Sequence, residues 1–374
     1  MVTPSDIEKI IGNLRNTQSM ALDGHSTKLY KTCAKSIAGH ISNIVNMSFH
    51  EGKVPDKLKV SRVTPVHKGG DKNDLSNYRP ISVIPVMGKI FEGVVAEQLT
   101  KFLQTHHVLS PCQYGFRPKS STETAVFDLV SSVQSARDIG HAALAIFVDV
   151  KKAFDAVVHA CMMRSLAFAG ILGKSRDWLE DYLRGRSQVV SSGGCTSESA
   201  ICETGVPQGS RLGPILFTLF INSLASEDLF AQIYMYAEDV CLLYTGDDPR
   251  ELTAQANQDL LKILSWAKCN KVTINTEKTK YMTFGRGDEG RTLRYGDTIL
   301  QEVTTFRYLG IIIDCDLNFE AHMEHLISRL SAVTGAIRRS INQSVTTEMR
   351  RMLYFAMCHS LLLYGAILSL GEPP

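Results

Sequence analysis

Acidic residues at the ends of apolar segments are the strongest chemical signal in this sequence. Asp149 follows the apolar run Ala145 to Val148, where an unpartnered carboxylate is costly to desolvate. Glu238 and Asp239 lie further along, between two short apolar segments. If these positions meet on one face of a sheet, their carboxylates match the oxygen ligands that a pair of Mg²⁺ ions requires. The residues alone leave an alternative open, in which all three are solvated acids of surface turns.

A loop of small residues indicates where a substrate could come close to the backbone. Residues 205–214 read GVPQGSRLGP, with a single amide side chain at Gln208. Glycine permits close backbone approach, and the prolines favour a turn followed by a helix beginning near Ile215.

The elements that must position these residues are mostly short apolar strands. A nearly continuous apolar run from Ala142 to Val150 predicts a strand buried on both faces. Ile233–Tyr236 and Val240–Tyr244 predict a hairpin with residues 237–239 at its turn. Val60 to His67 predicts another strand, followed by a polar loop from Lys68 to Arg79. Phe306 to Asp314 is strand-like.

Helical patterns occupy most of the remaining chain. A turn near Gly24 separates two N-terminal helices, and an amphipathic helix follows Pro85. Ser120 and Glu123 form a candidate capping box for the next helix. Another helix starts at Pro249, and residues 321–359 are mostly helical.

The bulk composition excludes several classes of protein. With 44% hydrophobic and 21% charged residues, the chain is neither disordered nor membrane-like. A net charge of +2 excludes a polybasic protein, although a nucleic-acid groove needs only a local excess of Lys and Arg. Nine scattered cysteines without a CxxC pair predict reduced thiols. Together with a polar N-terminus, they predict an intracellular protein of the nucleus or cytoplasm, neither secreted nor bound to a membrane.

Seven segments resemble, in order along the chain, the motifs of reverse transcriptases. Three are similar to the successive palm motifs of that family: FVDVKKAFD (147–155), GVPQGSRLGP (205–214) and YAED (236–239). Four narrow the resemblance to the enzymes of non-LTR retrotransposons, of the LINE and jockey type: NYRPISVIPVMGKIFE (77–92), QYGFRPKSST (113–122), NTEKTKYMTF (275–284) and FRYLGIIID (306–314). The resemblance extends from about residue 20 to residue 370.

The resemblance implies an α+β fold of the right-hand polymerase type. It has fingers, a palm made of an antiparallel sheet packed on helices, and a helical, incomplete thumb. The implied division is a helical N-terminal extension (1–59), fingers and palm (60–314) and a partial thumb (315–374). Arginines of the thumb would follow the backbone of a duplex electrostatically; they are Arg329, Arg338, Arg339, Arg350 and Arg351. For any one of them, a solvated helix face is the alternative.

The implied activity is RNA-directed DNA synthesis with two Mg²⁺ ions, or Mn²⁺ in their place. The implied partners are an RNA template, a DNA primer and deoxynucleoside triphosphates, and protein partners stay undefined. Asp149 matches the first metal-binding aspartate of the palm. Glu238 and Asp239 occupy the acidic pair of the hairpin.

Four further residues match positions that contact the incoming nucleotide. Lys68 and Arg79 match fingers cations that hold the triphosphate, with solvated loop charges as the alternative. Phe154 matches the aromatic residue that closes off the 2′ side of the sugar and favours deoxynucleotides, unless it is a plain core residue. Gln208 would border the nucleotide and the template base.

Two other matches concern the leaving group and the primer. Lys278 lies where a lysine protonates the pyrophosphate, although a structural role is equally compatible. The tight turn Tyr308-Leu309-Gly310 resembles the primer grip, which holds the 3′ end. Asp155 also matches the family pattern, where it fixes the strand–helix turn.

One departure from the family lies in the hairpin itself. The motif normally reads Tyr-Ala-Asp-Asp, and here Glu238 takes the place of the first aspartate. Glutamate adds one methylene and moves the carboxylate by about 1 Å, a misplacement that can cost about 100-fold in rate. Polymerisation is therefore expected to be strongly reduced or absent. The alternative function is a catalytically impaired remnant that still binds nucleic acid.

A second departure concerns extent. Full-length elements of this kind carry an endonuclease ahead of the polymerase, and the N-terminal segment here is too short for one. The chain also stops inside or soon after the thumb, as in a truncated copy or a fragmentary gene model. An enzyme of mobile introns is a third alternative, although its maturase domain is missing.

Overall fold

A computed structural model describes residues 1–17, 19–285, 291–340 and 345–366. Its helices are α1 (Pro4–Asn13), α2 (Thr27–Glu51), α3 (Val86–Thr105), α4 (Thr122–Asp138), α5 (His159–Phe168), α6 (Gly173–Leu183), α7 (Leu212–Ile221), α8 (Pro249–Asn270), α9 (Glu320–Ser340), α10 (Thr347–Leu353) and α11 (Ser360–Leu363). Its strands are β1 (Val60–His67), β2 (Tyr78–Val83), β3 (Ala142–Val148), β4 (Ser187–Ser192), β5 (Cys195–Thr196), β6 (Ala200–Ile201), β7 (Gln232–Tyr236), β8 (Asp239–Gly246), β9 (Lys280–Phe284), β10 (Arg294–Tyr295), β11 (Thr298–Ile299), β12 (Gln301–Glu302), β13 (Thr305–Tyr308) and β14 (Ile311–Asp314). The mixture of helices and sheets confirms the α+β class.

The chain forms two compact units, each assembled from separate stretches of sequence. The first unit contains residues 1–110, 151–226 and 267–273. The second contains residues 111–150, 227–266 and 274–374, within the described ranges. The division at residues 59 and 314 stays a prediction.

The sheet of the first unit has the strand order β2-β1-β4-β5, with β6 also paired to β4. β1 matches the predicted strand from Val60 to His67 and pairs with β2 in antiparallel register. The polar loop after β1 is shorter than predicted, because β2 already begins at Tyr78 and includes Arg79. The loop ends there because Arg79 pairs with Val66 across the two strands.

A buried carboxyl group links the helices of the first unit. Glu92 on α3 is 2% exposed and accepts hydrogen bonds from the Tyr182 hydroxyl (2.6 Å) and the Arg211 backbone N–H (2.7 Å). Burial raises the pKa of the Glu92 carboxyl. Arg211 directly precedes α7, which begins at Leu212 rather than near Ile215 as the sequence predicts. The helix starts earlier because Ser210 Oγ accepts the Gly213 N–H at 2.8 Å and so caps its first turn.

The sheet of the second unit has the order β12-β9-β3-β8-β7, in which each of β9, β3, β8 and β7 is antiparallel to its neighbour among these four. All seven residues of β3 are buried, as predicted for a strand covered on both faces. α4 and the β13–β14 hairpin pack into the same apolar core. This core includes Val126, Leu129, Val130, Ala143, Ala145, Phe147, Cys241, Leu243, Met282, Tyr308, Ile311 and Ile313.

Two details of the second unit differ from the sequence prediction. The cap of α4 is formed by Ser121 and Thr124 rather than Ser120 and Glu123, because the extended backbone of Ser121 lets its hydroxyl accept the Thr124 N–H at 3.1 Å. The strand-like segment from Phe306 to Asp314 is a hairpin of two strands. Positive φ angles at Leu309 (46°) and Gly310 (93°) reverse the chain in its middle.

The C-terminal segment is mostly helical, as predicted, within its described part. α9 and α10 are followed by a π-helical turn from Tyr354 to His359 and by α11. Residues 341–344 and 367–374 of the predicted thumb lie outside the described residues. None of the helices in the described ranges combines the length and the apolar character needed to cross a bilayer.

Candidate active site

The backbone of Asp149 is held on both sides by one turn. Its N–H donates to Thr279 Oγ1 at 3.2 Å, and its carbonyl oxygen accepts the Asn275 N–H at 2.8 Å. Asp149 follows the last residue of β3 and is half-buried. Because the turn takes up both backbone groups, the position of Asp149 is fixed while its carboxylate stays available. The segment 275–284 resembles a family motif, but its sequence alone indicates no role for Asn275 or Thr279.

Glu238 and Asp239 lie at the tip of the β7–β8 hairpin. Tyr236 pairs with Asp239, so the turn consists of Ala237 and Glu238 alone. The sequence predicted that Asp239 belongs to the turn. In the structure it is instead the first residue of β8. The reason is that a two-residue loop closes the hairpin, which leaves the next residue in the ladder.

The three predicted carboxylates are brought to one end of the sheet. Val148 pairs with Val240, so Asp149 and Asp239 leave adjacent antiparallel strands at opposed positions. Loss of solvation, followed by repulsion from Glu238 and Asp149, raises the pKa of the Asp239 carboxyl to about 6. This shift shows that the three acids act on one another electrostatically.

The donor chemistry of these acids fits a hard divalent cation. Carboxylate oxygens are the ligands that Mg²⁺ and Mn²⁺ prefer, and a cation would relieve the repulsion that raises the pKa of Asp239. Across the described part of the chain, no three His, Cys, Asp or Glu side chains are gathered closely enough to form a ready-made metal site. Asp149, Glu238 and Asp239 thus have the right chemistry for a metal, with side chains that must still adjust to hold one.

A short segment that sequence reasoning gave no role supports the hairpin. Gln113 Oε1 accepts the N–H of Ala237 at 3.1 Å, and the backbone of Tyr114 donates to Met235 O at 2.7 Å. Gly115 lies so close that a Cβ there would come within 2.5 Å of Ala237 N. The segment QYGF offered a signal in its glycine, which marks a close backbone approach.

Lys278 is exposed and belongs to the same turn that holds Asp149. Its backbone N–H donates to Asn275 O at 3.1 Å, and it directly precedes Thr279. The structure therefore places Lys278 beside the backbone contacts of Asp149. Its role as a proton donor stays a prediction.

The turn matched to the primer grip is anchored by a distant tyrosine. Tyr308, Leu309 and Gly310 form the bend between β13 and β14, and Tyr308 is buried. The Tyr364 hydroxyl donates to the carbonyl oxygen of Leu309 and shares a 2.9 Å hydrogen bond with Thr122 Oγ1. A Cβ on Gly310 would lie 3.2 Å from the Tyr364 ring. Tyr364 thus contacts both Leu309 and Gly310 of this turn.

In the first unit, Lys68 and Arg79 lie near one end of the β1–β2 hairpin. Lys68 directly follows β1, and its backbone N–H donates to Asn77 O at 2.8 Å. Arg79 is on β2, opposite Val66, and both cationic side chains are exposed. The geometry therefore brings the two cations to the same hairpin.

The loop that contains Gln208 is fitted against the same sheet. Gln208 O accepts the Ser82 N–H at 2.7 Å, and a Cβ on Gly209 would lie 2.8 Å from Ser82 O. The side-chain oxygen Oε1 of Gln208 is buried, and no described residue donates to it. An unpaired buried acceptor of this kind is a candidate for a ligand contact.

The position of Phe154 is compatible with both predicted alternatives, a plain core residue and a contact with the sugar. One face stacks on Phe217, with ring centroids 4.8 Å apart, while the residue stays partly exposed. Its carbonyl oxygen accepts the Val206 N–H at 2.8 Å, and a Cβ on Gly205 would lie 2.9 Å from Asp155 O. The segment after Asp149 and the loop at 205–206 are thus bound backbone to backbone. Whether Phe154 contacts a sugar stays a prediction.

The five arginines of the C-terminal helices are all exposed. Arg329, Arg338 and Arg339 lie on α9, and Arg350 and Arg351 on α10. Exposure suits contact with a phosphate backbone and equally suits a solvated surface.

Comparison with protein families gives one match over most of the chain. Residues 66–313 match the family described as reverse transcriptase (RNA-dependent DNA polymerase). The putative 115 kDa protein in the type-1 retrotransposable element R1DM of Drosophila melanogaster is 27% identical over 96% of this chain and 35% of its own length. The RNA-directed DNA polymerase from the mobile element jockey of Drosophila funebris is 25% identical over 87% of this chain and 36% of its own length.

Both relatives are named after retrotransposable elements, and the jockey protein is named as a polymerase, so these comparisons do not favour a non-catalytic remnant. The chain spans about a third of their length. Among solved structures, apo telomerase from Candida tropicalis, truncated from its C-terminal domain, aligns with a TM-score of 0.47 and 13% identity. That alignment covers 75% of this chain and 59% of the telomerase chain.

Proposed function

The chain belongs to the reverse transcriptase (RNA-dependent DNA polymerase) family, and on that premise we propose that it extends a DNA primer along an RNA template. The proposed setting is a non-LTR retrotransposon of the jockey and R1 type, after the relatives it resembles. The observation that carries the proposal is the electrostatic coupling of Asp149, Glu238 and Asp239 at adjacent strand ends.

Reverse transcriptases generally use divalent metal ions, and the carboxylates of this chain are proposed to hold two Mg²⁺ ions, with Mn²⁺ as a substitute. When bound, such ions activate the primer 3′-hydroxyl and neutralise charge on the transferred phosphate. The chain itself positions the three carboxylates. The turn at Asn275 and Thr279 fixes the backbone of Asp149, and the β7–β8 hairpin carries Glu238 and Asp239.

The remaining predicted residues bind and orient the substrates. Lys68 and Arg79 are proposed to hold the triphosphate, with Arg79 suited to a forked contact and Lys68 to a point contact. Gln208 would present its unpaired Oε1 toward a donor on the base, and Phe154 would exclude a 2′-hydroxyl. Lys278 Nζ would give a proton to the leaving pyrophosphate.

The primer and the duplex are assigned to the second unit. The turn Tyr308-Leu309-Gly310, anchored by Tyr364, is proposed to hold the primer 3′ end. Exposed arginines of α9 and α10 would contact the phosphate backbone of the template–primer duplex. The protein is proposed to act in the nucleus or cytoplasm, because its nine cysteines are scattered and odd in number, as expected of reduced thiols.

The test is extension of a DNA primer on an RNA template with Mg²⁺ or Mn²⁺. Glu238→Asp should extend the primer on the order of 100-fold faster than the parent, because it restores the shorter carboxylate arm at the metal. Glu51→Asp, at the exposed end of α2, is the matched control and should leave the rate unchanged.

Asp149→Asn in the Glu238→Asp background should abolish extension, since it removes a proposed metal ligand without changing size. Equal rates in the parent and Glu238→Asp would overturn the argument about the hairpin. Binding of a template–primer duplex with no extension by either protein would contradict the proposed activity.

A further inference from the structure

The turn at the tip of the β7–β8 hairpin is not one that its own residues favour. Ala237 has φ at +54°, in the left-handed region that residues with a Cβ rarely adopt. A positive φ at the first position of a two-residue loop matches the sign of a type II′ turn, where glycine is usual. Something other than local preference must therefore hold this turn in place.

The side chain of Gln113 supplies that hold. Its Oε1 accepts the Ala237 N–H at 3.1 Å and the Gly115 N–H at 2.7 Å. Because both neighbouring groups are donors, the amide must present its oxygen to them. Gln113 is 0% exposed and lies 124 positions from Ala237 in the sequence.

The other half of the same amide is not used by the described residues. Gln113 Nε2 is buried and has no hydrogen-bond partner among them. A buried donor without a partner costs free energy, so an apolar side chain would serve core stability at least as well. The hydrogen bond from the Ala237 N–H to the Gln113 side-chain oxygen explains better why a glutamine occupies this position.

The backbone on either side of Gln113 also forms hydrogen bonds to the hairpin. Tyr114 N–H donates to Met235 O at 2.7 Å, and Met235 N–H donates to Cys112 O at 2.8 Å. Gly115 fits only because it lacks a Cβ, which would lie 2.5 Å from Ala237 N. Residues 112–115 thus lie alongside the end of β7 and reach the turn itself.

We infer that Gln113 is a positioning residue for the carboxylates of Glu238 and Asp239, an inference that rests on the proposed polymerase function. Its side-chain oxygen fixes the strained turn between the two strands, and so sets where both carboxylates stand relative to Asp149. Loss of this contact displaces the carboxylates without touching the groups that bind nucleotide. The rate of catalysis should therefore fall more than the affinity for substrate.

The experiment compares Gln113→Met with Gln134→Met in the Glu238→Asp background. Methionine keeps the length of the side chain but has no oxygen, and Gln134 is an exposed residue of α4 in the same unit. Gln113→Met should lower kcat about ten-fold or more while KM for deoxynucleotide changes by less than about two-fold. Gln134→Met should change neither.

Hydrogen–deuterium exchange gives a second readout that needs no activity. In Gln113→Met, amide exchange at residues 235–239 should accelerate by about ten-fold, while exchange in the central strand β3 stays at the parent rate. Faster exchange spread evenly over the second unit would mean that Gln113 only supports the core, and would overturn the inference.

A rescue separates turn control from general packing. Adding Ala237→Gly to Gln113→Met removes the strain at the positive φ, so the turn should form again without the Gln113 contact. Slow exchange at 235–239 and part of the lost kcat should return. No recovery in either measurement overturns the inference.

The two proposals fail in different ways. If neither the parent nor Glu238→Asp extends a primer, the proposed function is wrong, and exchange at 235–239 still decides whether Gln113 holds the turn. If Glu238→Asp is active but Gln113→Met changes neither kcat nor exchange, the inference about Gln113 is wrong and the proposed function stands.

Discussion

The carboxyl group of Asp239 has a raised pKa in the candidate site. Loss of solvation and the charges of Glu238 and Asp149 raise the pKa of its carboxyl to about 6. The folded protein therefore binds this proton more tightly than the unfolded chain does. The resulting destabilisation is absent at pH below the unfolded value near 4 and is fully present above about pH 6.

Replacing Asp239 with Asn should accordingly stabilise the metal-free protein at pH 8 and change little at pH 4. We expect a gain on the order of 1 kcal/mol at pH 8, reduced from the full shift because the residue is exposed to solvent, which screens its charge. Denaturant unfolding in the presence of a chelator measures it. Asp297→Asn, at the exposed β10–β11 turn, is the matched control for the same substitution, and an equal gain there would contradict the prediction.

At this scale the sequence identifies the candidate acids but not the groups that support them. Asp149, Glu238 and Asp239 could be found because each stands next to an apolar run that predicts a strand. Gln113 could not be assigned a role, since a side-chain contact with a backbone group 124 positions away leaves no local pattern. Ser121 was missed as a cap because its neighbour Ser120 fits the same motif.

Among the elements, the β13–β14 hairpin shows what periodicity cannot detect. The apolar residues of the segment 306–314 suggest one strand, because its turn contains Leu309, a residue that seldom takes a positive φ. Within the hydrophobic pattern only Gly310 indicated a bend, whereas the resemblance to the primer grip implied a tight turn at residues 308–310, where the structure has one. The hairpin is formed by long-range packing, in which Tyr308, Ile311 and Ile313 enter the core of the second unit.

Gly310→Ala should destabilise this hairpin more than an equivalent change elsewhere. Its φ of 93° is unfavourable for alanine, and the new Cβ would lie 3.2 Å from the Tyr364 ring. We expect a loss of about 2–3 kcal/mol in the free energy of unfolding. Gly296→Ala is the matched control, because that glycine also has positive φ but its Cβ would meet nothing closer than 3.8 Å. A loss of about 1 kcal/mol is expected there; equal losses at both sites would show that contact with Tyr364 does not matter.

For the molecule as a whole, the charge balance limits how nucleic acid can be bound. The net charge is only +2, so non-specific attraction must come from local groups of cations. The resemblance to reverse transcriptases implied the α+β class, which the helices and strands of the structure confirm. The interleaving of the two units was not predictable, because each unit combines stretches separated by tens of residues.

On the proposed function, Arg338→Ala with Arg339→Ala should weaken binding of an RNA–DNA duplex and reduce its salt dependence. Each lost phosphate contact lowers the slope of log K against log salt by about 0.9, so the pair should lower it by about 2. Lys28→Ala with Lys35→Ala on α2 removes the same charge from another exposed face. If both pairs reduce the slope equally, contact by the α9 arginines is ruled out.

The anchoring of Leu309 by Tyr364 has a consequence for how the protein is made. Tyr364 lies 55 positions after Leu309, and its other partner, Thr122, lies 242 positions before it. At about 5–20 residues per second, the ribosome needs roughly 3–11 s to pass from Leu309 to Tyr364. During that interval the bend at Leu309 and Gly310 exists without its anchor, and the nascent chain presents an unfinished hairpin to chaperones and proteases. Slow codons between these two positions would lengthen that exposure.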